Sequence, residues 1–222
     1  MYTFHFDVVM RNLPFLLEGL GLTIQITVVS VCFALVVGLV AALLRLSKIP
    51  GVTHLVRVYI DVFRCTPVLV QLVWIYYALP LVLGIRMSAF VSTVLTLSLN
   101  MGAFLGEIFR AGIQSIDAGQ REAAFVLGMT YKQTLRRIIL PQALVRMLPP
   151  IGSSMIVLLK ESSLASFIAV AELTYQGHIL QAATFRPIEI LSVVAAVYFI
   201  LTFPLSLLVQ YLERRAGIGE HV

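Results

Sequence analysis

Residues 115–150, SIDAGQREAAFVLGMTYKQTLRRIILPQALVRMLPP, are the one long polar and basic stretch in a chain that is otherwise almost continuously apolar. From Arg110 to Arg146 the basic residues are Arg110, Arg121, Lys132, Arg136, Arg137 and Arg146, against only Asp117 and Glu122. Such a segment cannot cross a bilayer and belongs in water, on the cytoplasmic side. Its local grammar gives two short helices. Asp117 can cap the first, Gln120 and Glu122 lie near its positive N-terminal end, and Gly128 supplies the left-handed residue that ends it. Thr130 with Gln133 makes a capping box for the second. There Tyr131, Leu135, Ile138 and Ile139 form an apolar stripe opposite Lys132, Arg136 and Arg137, and Pro141 is expected to close or kink the helix.

Outward from this stretch the chain reads as membrane protein. Of 222 residues, 59% are hydrophobic and 12% charged, and the mean hydropathy is +0.97. A soluble domain is only about 45–50% apolar. Apolar runs at 19–44, 65–83, 87–106, 147–170 and 190–212, uncharged except for Lys160-Glu161 in the fourth, mark five spans for a bilayer that needs about 20 apolar residues. The run before the first span lacks a basic region and a cleavage signal, so that span is expected to be retained. A polar loop, 172–187, precedes the fifth. Five spans put the termini on opposite sides. With the N-terminus outside and the C-terminus in the cytoplasm, all of the 16 basic residues except Arg11, Arg86, Arg186 and the intramembrane Lys160 fall inside. The net charge of +5 is therefore topology information rather than a nucleic-acid footprint. Cys32 and Cys65 have no metal-ligand spacing and read as small core residues. The scattered His5, His54 and His221 suggest no metal site, and the outer Glu172, His178 and Arg186 read as solvated loop polarity.

Charged and polar groups inside spans are costly unless they face a cavity or a partner. Asn100, Ala103 and Glu107 share one face of the third span. For Asn100 and Glu107 a solute pathway and an interhelical hydrogen bond are both open readings. Gly102 and Gly106 form a small-xxx-small pair that lets another helix come close. In the fourth span Lys160-Glu161-Ser162-Ser163 places two adjacent charges, each costing about 2.5–3.5 kcal/mol on insertion scales. They are either part of a pocket for a zwitterion or a structural ion pair.

Three groups of residues carry a resemblance. Glu122-Ala123-Ala124, Gly128 and Ile139-Leu140-Pro141 resemble the EAA loop of bacterial ABC importer membrane subunits. Phe63-Arg64-Cys65-Thr66-Pro67 is similar to the FRGTP-type signature of the polar amino acid subfamily, with Cys65 in place of glycine. Lys160 to Leu164 is similar to its KDTSL-type motif. The resemblance implies an all-α membrane subunit, one transmembrane domain over 1–222, with a coupling loop at about 115–141 between the third and fourth spans. It implies an ATPase-coupling set of Glu122, Ala123, Ala124, Gly128, Leu140 and Pro141, and a substrate pathway of Asn100, Glu107, Lys160, Glu161 and Ser163. The implied partners are a dimer of ABC ATPase subunits, which would hold the ATP and magnesium, a second permease subunit and an extracytoplasmic solute-binding protein. The chain has no GxxxxGK[ST] loop and no catalytic triad spacing, so it is expected to bind no cofactor and to do no chemistry itself. Two rivals stand beside this reading. One is a gradient-driven secondary transporter using Glu107 and Glu161, and the other a non-transporting membrane scaffold. The basic loop could also be an amphipathic helix lying on the membrane.

Overall fold

The computed structural model describes residues 5–47 and 49–215. Lys48, counted above among the inner basic residues, and His221 lie outside them. The described residues are helical throughout, with no strand among them. A short α1 (Phe6–Arg11) leads into α2 (Leu13–Leu46), followed by α3 (Pro50–Cys65), α4 (Val68–Leu83) and α5 (Ala89–Gln114). Next come α6 (Ala118–Val126), α7 (Tyr131–Ile168), α8 (Leu173–Thr184) and α9 (Pro187–Arg215). Four of these, α2, α5, α7 and α9, are long and apolar enough to cross a bilayer, and α3 with α4 makes a fifth crossing bent by 109°.

The centre of the bundle is the parallel pair α2 and α5. A Cβ on Gly102 would lie 2.6 Å from Val37, and one on Gly38 would lie 2.6 Å from Leu105. Only glycine lets the two backbones approach so closely, as the small-xxx-small spacing implies. Around this seam Ile26, Ala34, Leu97, Met101, Leu105 and Leu158 form the largest buried cluster. Close packing of this kind replaces hydrophobic collapse as the cohesive force in lipid.

The structure corrects several expectations. The second span is not one helix from residue 65: it begins as α3, breaks at Cys65–Thr66–Pro67, and resumes as α4 after a sharp turn. The residue before proline is disfavoured in the α region, and Thr66 is extended at φ −114°, ψ 143°. The third span does not stop near Gly106 but runs to Gln114. Pro141 neither closes nor breaks its helix. A π turn at Leu135–Ile139 lies just before it, and this widened turn takes up the register change that the missing amide and the bulk of the ring would otherwise force. Cys32 and Cys65 lie free on the surface of the chain, not in its core.

The largest correction concerns the outer loop. Residues 173–184 are helical, and Glu172 is fully buried as the helix N-cap. Its carboxylate accepts from the amides of Thr174 (3.0 Å) and Tyr175 (2.8 Å) and from the Tyr198 hydroxyl (3.0 Å). Thr23 Oγ1 lies 3.4 Å from the same carboxylate and accepts from the Leu173 amide at 3.1 Å. One side chain thus ties α2, α8 and α9 together. Burial pushes the Glu172 carboxyl above its usual range, and these hydrogen bonds pull it back. The outer end is further closed by Glu189, also fully buried, which accepts from the His5 amide at 3.1 Å and lies 3.8 Å from Arg186. Replacing Glu172 with alanine orphans two amides and a hydroxyl. Each unsatisfied group costs on the order of 1–3 kcal/mol, so Glu172→Ala is expected to lower the thermal midpoint in detergent well below that of Glu172→Gln, which keeps an acceptor.

Candidate functional site

The basic stretch folds as its local grammar dictates. Asp117 Oδ1 accepts from the Gly119 amide at 2.6 Å and caps α6. Gly128, at φ +73°, ends it, and the Gly128 and Met129 amides return to the carbonyls of Phe125 (2.9 Å) and Ala124 (3.0 Å). The Thr130–Gln133 capping box is complete. Side chains fasten this segment to the bundle. Arg121 Nη2 donates to the Ile113 carbonyl at 3.1 Å, and Arg146 Nη1 to the Ser115 carbonyl at 2.6 Å. Ile139 packs with Ile116, Ala143 and Met147, whereas Tyr131, expected on the same stripe, is 78% exposed.

What α6 presents outward is an apolar and acidic surface. Ala124 is buried against the bundle, while Glu122 and Ala123 are exposed, and Phe125, Val126 and Leu127 are 80%, 84% and 78% exposed. Leu140 is half-buried and Pro141 exposed one helical segment away. The capped helix of nine residues thus holds one alanine inward and leaves a hydrophobic corner outward beside Gly128, uncovered by the rest of the described chain.

The intramembrane residues are drawn into two separate places. Asn100 Nδ2 donates to the Phe63 carbonyl (2.8 Å) and to Gln71 Oε1 (3.0 Å). Gln71 Nε2 in turn donates to the Phe63 carbonyl (2.9 Å), the Thr66 carbonyl (3.1 Å) and Thr66 Oγ1 (2.6 Å). This knot satisfies the backbone freed by the break between α3 and α4. Asn100 thus makes an interhelical hydrogen bond. Glu107 sits lower on the same helix, 3.2 Å from Arg45 of α2 and 2.7 Å from Arg110. It is an interhelical ion pair, and no ion pair joins it to Lys160. Arg64 lies over the Phe104 ring at 5.3 Å.

Lys160, Glu161 and Ser163 gather elsewhere, where α7 tightens from α-helix to a 3₁₀ turn at Ser162–Ile168. Lys160 is exposed and Glu161 half-buried, and no salt bridge joins them. Adjacent helical residues point about 100° apart, which accounts for that. Ser163 Oγ donates to the Lys160 carbonyl at 2.7 Å, so it shapes the turn. Sequence reasoning missed Gln71 and Glu172. Gln71 stood four residues after Pro67, where a polar side chain in an apolar run is a signal. Glu172 stood three residues before Tyr175, a capping position.

Fold and site together define a multi-span α-helical membrane protein with an exposed apolar helix corner beside Gly128. The family model described as binding-protein-dependent transport system inner membrane component matches residues 12–218. The chain is 41% identical to the glutamine transport system permease protein GlnP of Escherichia coli K12, covering 97% of this chain and 99% of the relative. It is 36% identical to the arginine transport system permease protein ArtQ of Bacillus subtilis, covering 95% and 96%. A solved amino acid ABC transporter, crystallised with histidines, superposes with a TM-score of 0.90 at 40% identity, covering 96% of this chain and 100% of that one. The MetNI methionine ABC transporter shares the fold at 21% identity, with a TM-score of 0.76. The chain belongs to the inner-membrane components of binding-protein-dependent transport systems, the membrane-spanning permease subunits of ABC importers.

Removing the amide at Asn100 leaves the buried Gln71 Oε1 without its donor, while Gln71 Nε2 still serves the Phe63 carbonyl. Asn100→Leu is expected to lower the thermal midpoint by the equivalent of about 1–3 kcal/mol, measured by scanning fluorimetry in detergent. An unchanged midpoint would show that the knot does not hold the bend.

Proposed function

We propose that this chain, as a single transmembrane domain over 1–222, forms with a second permease subunit the channel of an ATP-driven importer for a polar amino acid. Relatives that carry glutamine or arginine at 36–41% identity across almost their whole length support the solute class. The observation that carries the coupling reading is the outward-facing α6, with Glu122 and Ala123 exposed beside the left-handed Gly128. In this reading Glu122, Ala123 and Gly128 enter a groove of a separate ATPase dimer, Ala124 seats the helix on the bundle, and Leu140 and Pro141 brace the start of the following span. ATP and magnesium belong to that ATPase, and this chain binds no cofactor and catalyses nothing. A solute-binding protein delivers the amino acid from the outer face of the bacterial cytoplasmic membrane. The N-terminus lies outside and the C-terminus inside.

Within the membrane, Lys160 and Glu161 make no salt bridge among the described residues, and in this reading they line the solute path with Ser163. Asn100 and Glu107 contribute by holding the neighbouring helices in place. The opposite signs of Lys160 and Glu161 match the carboxylate and ammonium of an amino acid. A gradient-driven carrier would need Glu107 to take and release a proton or ion, and two arginines already neutralise it.

Gly128→Val forces a β-branched residue into a conformation that costs it on the order of 1–2 kcal/mol and so shifts the exit of α6. In proteoliposomes holding the full complex, this variant is expected to insert normally and to lose most solute uptake per ATP hydrolysed. Uptake at the parental ratio would remove α6 from the coupling path. Lys160→Met is expected to cut uptake at least tenfold, about 1.4 kcal/mol, while the ATPase still co-purifies. Loss of subunit assembly instead would make Lys160 an interface residue.

A further inference from the structure

The inner ends of α2 and α3 carry a feature that coupling and translocation do not use. Between them lies a cavity of about 410 Å³ lined by Arg45, Pro50, Thr53, His54 and Arg57. Its walls are basic. Arg45 comes from α2, and His54 and Arg57 from successive turns of α3. The carboxylates nearby are Glu107, already shared by Arg45 and Arg110, and Asp61, one turn beyond Arg57 and in no ion pair with it. The α3 N-terminus adds to this charge, because Ile49 offers no side-chain cap and the first intrahelical amide bond is Thr53 to Ile49. The amides of Gly51 and Val52 are therefore open, as the first amides of a helix are. Thr53 Oγ1 is enclosed and finds no hydrogen-bond partner among the described residues.

An apolar groove continues from this cavity between the same two helices. It is lined by Val36, Val40, Leu44, Val56 and Tyr59, and its volume is about 240 Å³. Leu44 and Arg45 are consecutive, and Thr53 and Val56 lie one turn apart, so basic cavity and apolar groove are neighbours along α2 and α3. Val36 and Val40 are 61% and 49% exposed along it. A free phosphate would use only the cavity, and a neutral hydrocarbon only the groove. We propose that this cleft is a binding site for an anionic phospholipid, its phosphate held by Arg45, His54 and Arg57 and one acyl chain lying against Val36, Val40 and Tyr59. Basic pockets between spanning helices take anionic headgroups for the same electrostatic reason. The lipid would bridge α2 to α3 beside the Arg45–Glu107 pair and so brace the first half of the broken span.

The test titrates the full chain, purified in mild detergent, with dioleoyl phosphatidylglycerol, dioleoyl phosphatidylcholine or inorganic phosphate, and follows the thermal midpoint. Phosphatidylglycerol is expected to raise the midpoint saturably, while phosphatidylcholine and phosphate leave it unmoved. Arg57→Gln should shift the half-saturating lipid concentration upward about fivefold, the weight of one basic residue at a membrane surface, and Arg57→Lys should restore it. Val40→Trp, which fills the groove without touching charge, should weaken the same titration. Equal stabilisation by phosphatidylcholine, or an Arg57→Gln curve that coincides with the parent's, overturns the proposal. Stabilisation by phosphate alone, unaffected by Val40→Trp, overturns it in favour of a simple anion site.

Discussion

In the hydrocarbon of a bilayer no backbone group can be left to water, and that rule governs this fold more than any pairwise contact. An unbroken helix obeys it automatically. The chain departs from an unbroken helix at Cys65–Thr66–Pro67, and each departure is answered by a side chain. Thr66 Oγ1 donates to the Val62 carbonyl at 2.7 Å, and Gln71 and Asn100 together cover Phe63. The same logic explains Glu172 at the outer end, where a buried carboxylate finishes the N-terminus of α8. Polar residues in this protein are placed first by backbone bookkeeping and only then by transport.

The sequence was most legible where local chemistry is self-sufficient. Asp117, Gly128 and the Thr130–Gln133 box act within a few residues, so cap and turn could be read directly and the structure has them where expected. Four of the five crossings were legible because apolar length alone defines them. The spacing of Gly102 and Gly106 also announced a close helix crossing, although not which helix would fill it.

The rest depended on contacts distant in the chain. Asn100 meets Phe63 and Gln71 across 37 and 29 residues, and Glu172 meets Thr23 across 149. Nothing in their neighbourhoods reveals such partners. Glu172 looked solvated because a polar loop with Arg186 and His178 surrounds it in sequence. Its burial is a property of the packing of α2 and α9 over it. Pro141 misled for a different reason: proline rules describe an α-helix, and the π turn before it changes the geometry to which they apply.

That turn has a mechanical consequence. The helix from Tyr131 to Ile168 is 38 residues long, about 57 Å at roughly 1.5 Å per residue, whereas the hydrocarbon core is about 30 Å thick. Nearly half of its length is therefore surplus to an upright crossing, and it is continuous with the segment that carries Lys160 and Ser163. Pivoting at the membrane surface, that surplus length converts a tilt of about 10° into a sweep of roughly 5 Å at its free end, given the rise per residue. A small rotation near one end and a large stroke at the other are then the same motion.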